Sequence, residues 1–254
     1  MIVRFAFLFL TLSQNAFAQD VLIIGEVHDN TAHHAVQAEK VAKFRPAALV
    51  FEMVSPARIY GEVLPQFTDP GDLEAFLEWG SSGWPDFSMY RPIFNAAPEA
   101  KVYGAHVPRS QAQAVLEDGP EQVFGAEARR YGLAEPLSAR QQAQRETLQM
   151  VAHCNALPPE ILPGMVEIQR LRDAVLARAA VRALEETGGP VVVITGNGHA
   201  RRDWGVPSYL ADVVPETTVY VIGQTEDDQP LEGGFDKVLS APAAERPDPC
   251  AAFK

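Results

Sequence analysis

A chain of 254 residues with a net charge of −12 has room for one large α/β domain with a sizeable core. It has no run rich in lysine or arginine, so nucleic acid and anionic membrane are poor partners for it. At this size neither a metal nor a disulfide is needed merely to fold.

Residues 1–18 read as a secretory leader. Arg4 supplies the charge, Phe5 to Leu12 the apolar run and Ala16-Phe17-Ala18 the cleavage signal. The run is too short to span a bilayer. A mature chain from Gln19, periplasmic or secreted and without a membrane anchor, is therefore expected. No cysteine ends the leader, so it is not a lipoprotein signal. Cys154 and Cys250, the only two cysteines, then share an oxidising compartment, where a bridge between them is allowed and expected.

The first strand is Val21-Leu22-Ile23-Ile24, closed by Gly25 and followed by Glu26, Val27 and His28. Asp29 and Asn30 are good caps for a helix from Thr31 to Phe44. Ala47 to Phe51 is a second buried strand, ending in Glu52. Ser55-Pro56 opens a further helix by the cap-then-proline rule, and Asp72 to Trp79 is a short third one. From Trp79 to Pro92 runs an aromatic loop whose glycines and prolines exclude a long helix. Lys101 to Ala105 is a third strand and ends in His106.

Residues 108–187 carry helical patterning and no strand-like run, with strong helices from Ser138 to Asn155 and from Ile161 to Glu186. Val191 to Thr195 is a fourth strand, running into Gly196-Asn197-Gly198-His199. A short helix at Ser208 to Val213, a strand at Thr217 to Ile222 and an edge strand at Lys237 to Leu239 complete the chain. The expected fold is α/β: a mainly parallel central sheet flanked by helices. Residues 19–107 and 188–254 form its core, and 108–187 an inserted helical subdomain.

Four strands finish in ligand-type residues: Glu26 with His28, Glu52, His106 and His199. The carboxyl ends of parallel strands meet along one edge, where such folds bind ligands. Glu26, His28 and His199 are candidate ligands for zinc, iron or manganese. Glu26 or Glu52 is the candidate general base if the site hydrolyses. His106 is expected to be a capping or core residue. Gly196-Asn197-Gly198 lacks the third glycine of a dinucleotide fingerprint; its glycines are expected to turn the backbone so that His199 points into the crevice. Arg172 lies on an apolar helical stripe with Met165, Ile168, Val175 and Ala179, so it needs an anionic partner or an edge position reaching water. Met150, His153 and Cys154 share another face. His and Met are haem-ligand types, and plain packing is the other reading.

Together these residues resemble a family. Gly25-Glu26-x-His28-Asp29-Asn30 with His33-His34 and Gln37, Trp84-Pro85-Asp86-Phe87-Ser88-Met89-Tyr90-Arg91-Pro92, His153-Cys154, Gln169 to Ala174, and Gly196-Asn197-Gly198-His199 with Gly205-Val206-Pro207 are similar to the ChaN-like haem-binding uptake proteins. These sit in a wider group with the Tiki proteases and erythromycin esterases. The resemblance implies haem binding in iron uptake, and through the Tiki branch a metal-dependent hydrolase as the alternative. Haem is the expected cofactor, with a divalent metal as a second one, and a homodimer is the expected assembly. The founding ChaN-type protein is a lipoprotein that ligates haem through a tyrosine of its helical part. Here Tyr131 is the only tyrosine of that block, and His153 is taken as the substitute, with Tyr90 as fallback. Trp84, Phe87 and Tyr90 are expected to wall one apolar cleft with the helical block, and Arg172 or Arg91 to pair with a propionate.

Overall fold

The computed structural model describes residues 19–65, 67, 69–248 and 250–251, so the expected leader lies outside the described residues. Among the described residues seven strands form one sheet: β1 (Val21–Glu26), β2 (Ala48–Phe51), β3 (Tyr60–Val63), β4 (Lys101–Gly104), β5 (Val191–Gly196), β6 (Val219–Glu226) and β7 (Lys237–Ala241). Their order is β3-β4-β2-β5-β1-β6-β7, and every neighbouring pair is parallel except β3 with β4. The central strands read as unbroken apolar runs because both faces are covered. Val21, Ile23, Val50 and Val193 pack on one face; Leu22, Ile24, Leu49, Phe51 and Ile194 pack on the other. Each such fully buried side chain contributes about 1.5–3 kcal/mol of burial free energy.

Among the described residues eight α-helices accompany the sheet: α1 (Thr31–Phe44), α2 (Pro70–Phe76), α3 (Phe87–Asn95), α4 (Arg109–Phe124), α5 (Ala139–Ala152), α6 (Leu162–Thr187), α7 (Asn197–Ala200) and α8 (Val206–Val213). Helices α1 and α3 cover the face of Leu22 and Ile24, with Val41, Phe44, Ile93 and Phe94 in its core. Helix α6 lies along the other face. Ala174, Ala177, Ala180 and Ala183 are fully buried there, and such small side chains let a helix sit close to strands. Helix α6 thus shares the sheet's core, whereas α5 buries no residue of its own.

Two local expectations are corrected. Ser55-Pro56 opens no helix; turns follow it and lead into β3, whose edge pairs with β4. Within the aromatic stretch the Asp86 carboxylate accepts the Ser88 N–H at 2.8 Å, and nine residues form α3 despite Pro92. A cap at the right place and an apolar face of Phe87, Tyr90, Ile93 and Phe94 outweigh one missing donor.

Candidate functional site

Strands β2, β5 and β1 are adjacent, and their carboxyl ends bring Glu52, the turn from Gly196 to His199, and Glu26 with His28 together. Glu26 is buried. Its Oε1 accepts the Tyr90 hydroxyl and His28 Nδ1, each at 2.7 Å, and its Oε2 accepts the Gln37 amide at 2.6 Å. The α1 cap positions this group: Asn30 Oδ1 accepts from the N–H groups of Ala32 and His33. That sets His34, which donates to the His28 carbonyl at 2.9 Å, and one turn later Gln37. Burial alone would lower the His28 pKa. The Glu26 hydrogen bond and the charges of Glu52, Glu26 and Asp29 outweigh it and push it up to about 9.

Glu52 Oε2 accepts the Thr195 hydroxyl at 2.7 Å and the Gly196 N–H at 2.8 Å, while Oε1 faces His199 Nε2 at 3.5 Å. His199 donates through Nδ1 to Asp173 of α6 at 2.7 Å. Burial would raise the Glu52 pKa, but His199 and His28, with the two donors, hold it down to about 2. Burial likewise opposes the charged form of His199, and Glu52 and Asp173 prevail and raise its pKa. Asp173 itself is raised by burial, against the pull of His199.

The GNGH stretch works differently from expectation. None of its residues has positive φ. A Cβ on Gly196 would lie 2.8 Å from His28 Nε2, so this glycine makes room for the His28 ring. Asn197 is structural: it exchanges hydrogen bonds with the Gln224 backbone on β6.

A cleft of about 820 Å³ opens beside this polar line. His28, Asp173 and His199 form its floor. Leu148, Ala152, His153 and Val166 form one side, and Arg145, Arg201, Trp204 and Arg246 stand around it. His153 therefore faces the same cleft as His28 and His199. Its Nδ1–H donates to the Gln149 carbonyl at 2.8 Å, which leaves Nε2 with the lone pair. Arg201 stacks 3.7 Å above the Trp204 ring, and Arg145 lies 5.2 Å from it. Arg145 Nε, Gln149 Oε1 and Gln169 Oε1 are buried in this cleft's walls without hydrogen-bond partners.

The other expected cleft residues lie elsewhere. Tyr90 is fully buried with its hydroxyl on Glu26, and burial and Glu26 push its pKa far up, so as placed it does not reach the cleft. Phe87 is core. Trp84 packs on His28 at 4.9 Å and lines a separate hollow with Arg172 and His106. Arg91 lines a third hollow beside Leu73 and Phe94. The aromatic stretch and the helical block share the small hollow beside His106 through Trp84, Arg172 and Leu176, but no residue of the aromatic stretch lines the large cleft. Tyr131 is buried against Phe124, and burial pushes its hydroxyl up to about 12.

Glu26, His28 and His199 do converge on one edge, where Glu26 is taken up by Tyr90, Gln37 and His28 Nδ1, and His199 Nδ1 by Asp173, while His28 Nε2 has no hydrogen-bond partner among the described residues. Among the described residues no group of three or more His, Cys, Asp or Glu side chains is placed to hold a metal ion. Sequence reasoning passed over Asp173, Arg145, Trp204 and Arg246. Spacing alone could have found Arg145, since 145, 149 and 153 fall at successive four-residue steps on α5.

The C-terminal tail forms one more wall. Arg246 pairs in two-pronged fashion with Asp29 and with Glu226, at 2.6–2.8 Å. Beyond it Cys250 is bridged to Cys154, next to His153.

Comparison with known proteins agrees with this architecture. The chain superposes on the structure described as cofacial heme binding to ChaN of Campylobacter jejuni with a TM-score of 0.60 and 19% identity, over 84% of each chain. A likeness at that identity speaks for the fold alone. The type III effector HopBA1 is more distant, at a TM-score of 0.45 and 16% identity over 89% of this chain and 88% of the other. No curated protein sequence matches the chain. The family model described as "Haem-binding uptake, Tiki superfamily, ChaN" matches residues 12–210. On that match, over most of its length, the chain belongs to the ChaN family of the Tiki superfamily.

Proposed function

We propose that this protein binds haem in the cleft between α5, α6 and the carboxyl ends of β1 and β5, and that it serves haem or iron uptake outside the cytoplasm. The observation that carries the reading is His153. Its Nδ1–H is tied to a backbone carbonyl and its other nitrogen is left free in a large cleft, the arrangement typical of metal-ligating histidines. The cleft's volume falls in the range of small-molecule sites, about 300–1,000 Å³. Leu148, Ala152 and Val166 offer apolar wall, Trp204 a flat one, and Arg145 a guanidinium with an unpaired buried Nε for a carboxylate. When bound, haem supplies an iron centre with an open coordination position. The chain's part is to ligate, to clamp and to exclude water.

The Cys154–Cys250 bridge supports the export reading, because such bridges persist in oxidising compartments. In that reading residues 1–18 are removed, the mature chain starts at Gln19, and no anchor remains. Intact mass of the exported protein tests the cleavage, and sedimentation tests the expected homodimer. Haem titration followed at the Soret band tests the main reading. Wild type should give a saturable shift that His153→Ala loses. No saturable shift in wild type rejects it.

A second reading rests on the chain Asp173–His199–Glu52 beside the Glu26–His28 pair. It is hydrolysis, with Asp173 and Glu52 orienting His199 and Glu26 orienting His28. No metal step is assigned to it, because among the described residues no group of three or more His, Cys, Asp or Glu side chains is placed to hold a metal ion. Glu52→Gln should abolish any ester or peptide cleavage while leaving the haem shift intact.

A further inference from the structure

Outside the cleft, a hollow of about 70 Å³ lies between Glu52, Trp84, His106 and Arg172, with Ala105 and Leu176 as apolar wall. Three features of its lining are unaccounted for by the protein. Arg172 has no hydrogen-bond or ion-pair partner among the described residues, although it is half-buried on α6. The Trp84 indole N–H is buried without an acceptor. His106 carries no described hydrogen bond through its side chain, and burial and the neighbouring Arg172 keep it towards its neutral form. Glu52 does not answer Arg172. Its oxygens already serve Thr195, Gly196 and His199. The volume would take two waters at about 30 Å³ each, but water brings no countercharge to the Arg172 guanidinium.

We infer that this hollow binds the carboxylate group of a small ligand, with the Arg172 guanidinium and the Trp84 indole N–H as donors. A carboxylate matches a guanidinium fork and can take a further donor on a remaining lone pair. Porphyrin does not fit in such a space, so the site is distinct from the haem cleft. Two sources share the chemistry: a free small carboxylate, or a flexible carboxylate arm reaching in from a ligand in the cleft past His28.

The test is nitrogen-15 NMR on the mature chain, with the Trp84 indole resonance assigned from Trp84→Phe. Sodium acetate should shift that resonance saturably, and sodium chloride at matched ionic strength should not. Arg172→Gln should weaken acetate binding roughly tenfold or more, as expected for loss of a charge-assisted hydrogen bond. Arg172→Lys keeps the charge without the fork and should fall between. Absence of a saturable acetate shift in wild type, or an unchanged affinity in Arg172→Gln, overturns the inference. Water alone in the hollow gives the first of these results. Haem affinity measured with and without acetate separates the sources: competition assigns the carboxylate to haem, and independence assigns it to a free ligand. Failure of haem binding leaves the acetate result standing.

Discussion

The Tyr90 hydroxyl donates to Glu26 Oε1 at 2.7 Å across a sequence distance of 64 residues. Helix α3 thereby braces the end of β1. Tyr90→Phe leaves the fold's shape but strips a buried carboxylate of one donor. The expected loss is about 1.5–3 kcal/mol, the range for a hydrogen bond to a charged group, read as a lower denaturation midpoint. The haem titration should be unchanged, because Tyr90 does not line the cleft. Loss of the Soret shift in a folded Tyr90→Phe protein would return the tyrosine to the ligand's first contacts.

The sheet was legible because a strand buried on both faces leaves an unbroken apolar run, as Val21 to Ile24 and Val191 to Ile194 do. Glu26, Glu52 and His199 were legible because a parallel sheet puts its strand ends on one edge. What side chains do once there was not. Glu26 is consumed by Tyr90 and Gln37, which come from two different helices, and no local pattern announces that. Arg170 and Arg172 sit two residues apart on α6. The structure buries Arg170 against Glu167 and the carbonyls of Gly132 and Glu135, and leaves Arg172 without such partners among the described residues. Helical periodicity gives a face, not the depth at which each guanidinium ends.

Arg145→Ala should weaken haem binding about tenfold or more, by loss of one charge-assisted contact. The control is haem whose propionates are esterified. With that ligand wild type and Arg145→Ala should bind alike. A defect of equal size for both ligands would mean that Arg145 supports the Trp204 wall rather than a carboxylate.

Stability should fall at both ends of the pH scale for separable reasons. His28 is raised from 6.5 to about 9, so its contribution is complete below pH 6.5 and is lost as pH rises through 9. Glu52 is lowered from 4.5 to about 2, so its contribution is present above pH 4.5 and is lost as pH falls through 2. Urea midpoints measured against pH should show the alkaline decline in wild type and a flatter one in His28→Gln. An identical alkaline limb in both proteins would remove His28 as its cause.

Replacing both cysteines, Cys154→Ser with Cys250→Ser, frees a closure of 96 residues. The chain-entropy description puts the loss near 4–5 kcal/mol. Haem affinity should fall as well, since the bridge sits beside His153 and fastens the tail that carries Arg246. Chemical denaturation and Soret titration of the double variant measure the two effects independently. Undiminished affinity at reduced stability would confine the bridge to a structural role.

The same tail has a thermodynamic consequence. A wall held by a covalent bond gives the cleft two forms, one for each oxidation state of a sulfur pair that does not line it. Linkage is reciprocal: if the bridged form holds its ligand more tightly, the ligand makes the bridge harder to reduce by the same factor. A reductant and the bound molecule then oppose one another across the last turn of α5. Under that condition loading the cleft makes the bridge harder to reduce, and a weaker reductant suffices for the unloaded protein.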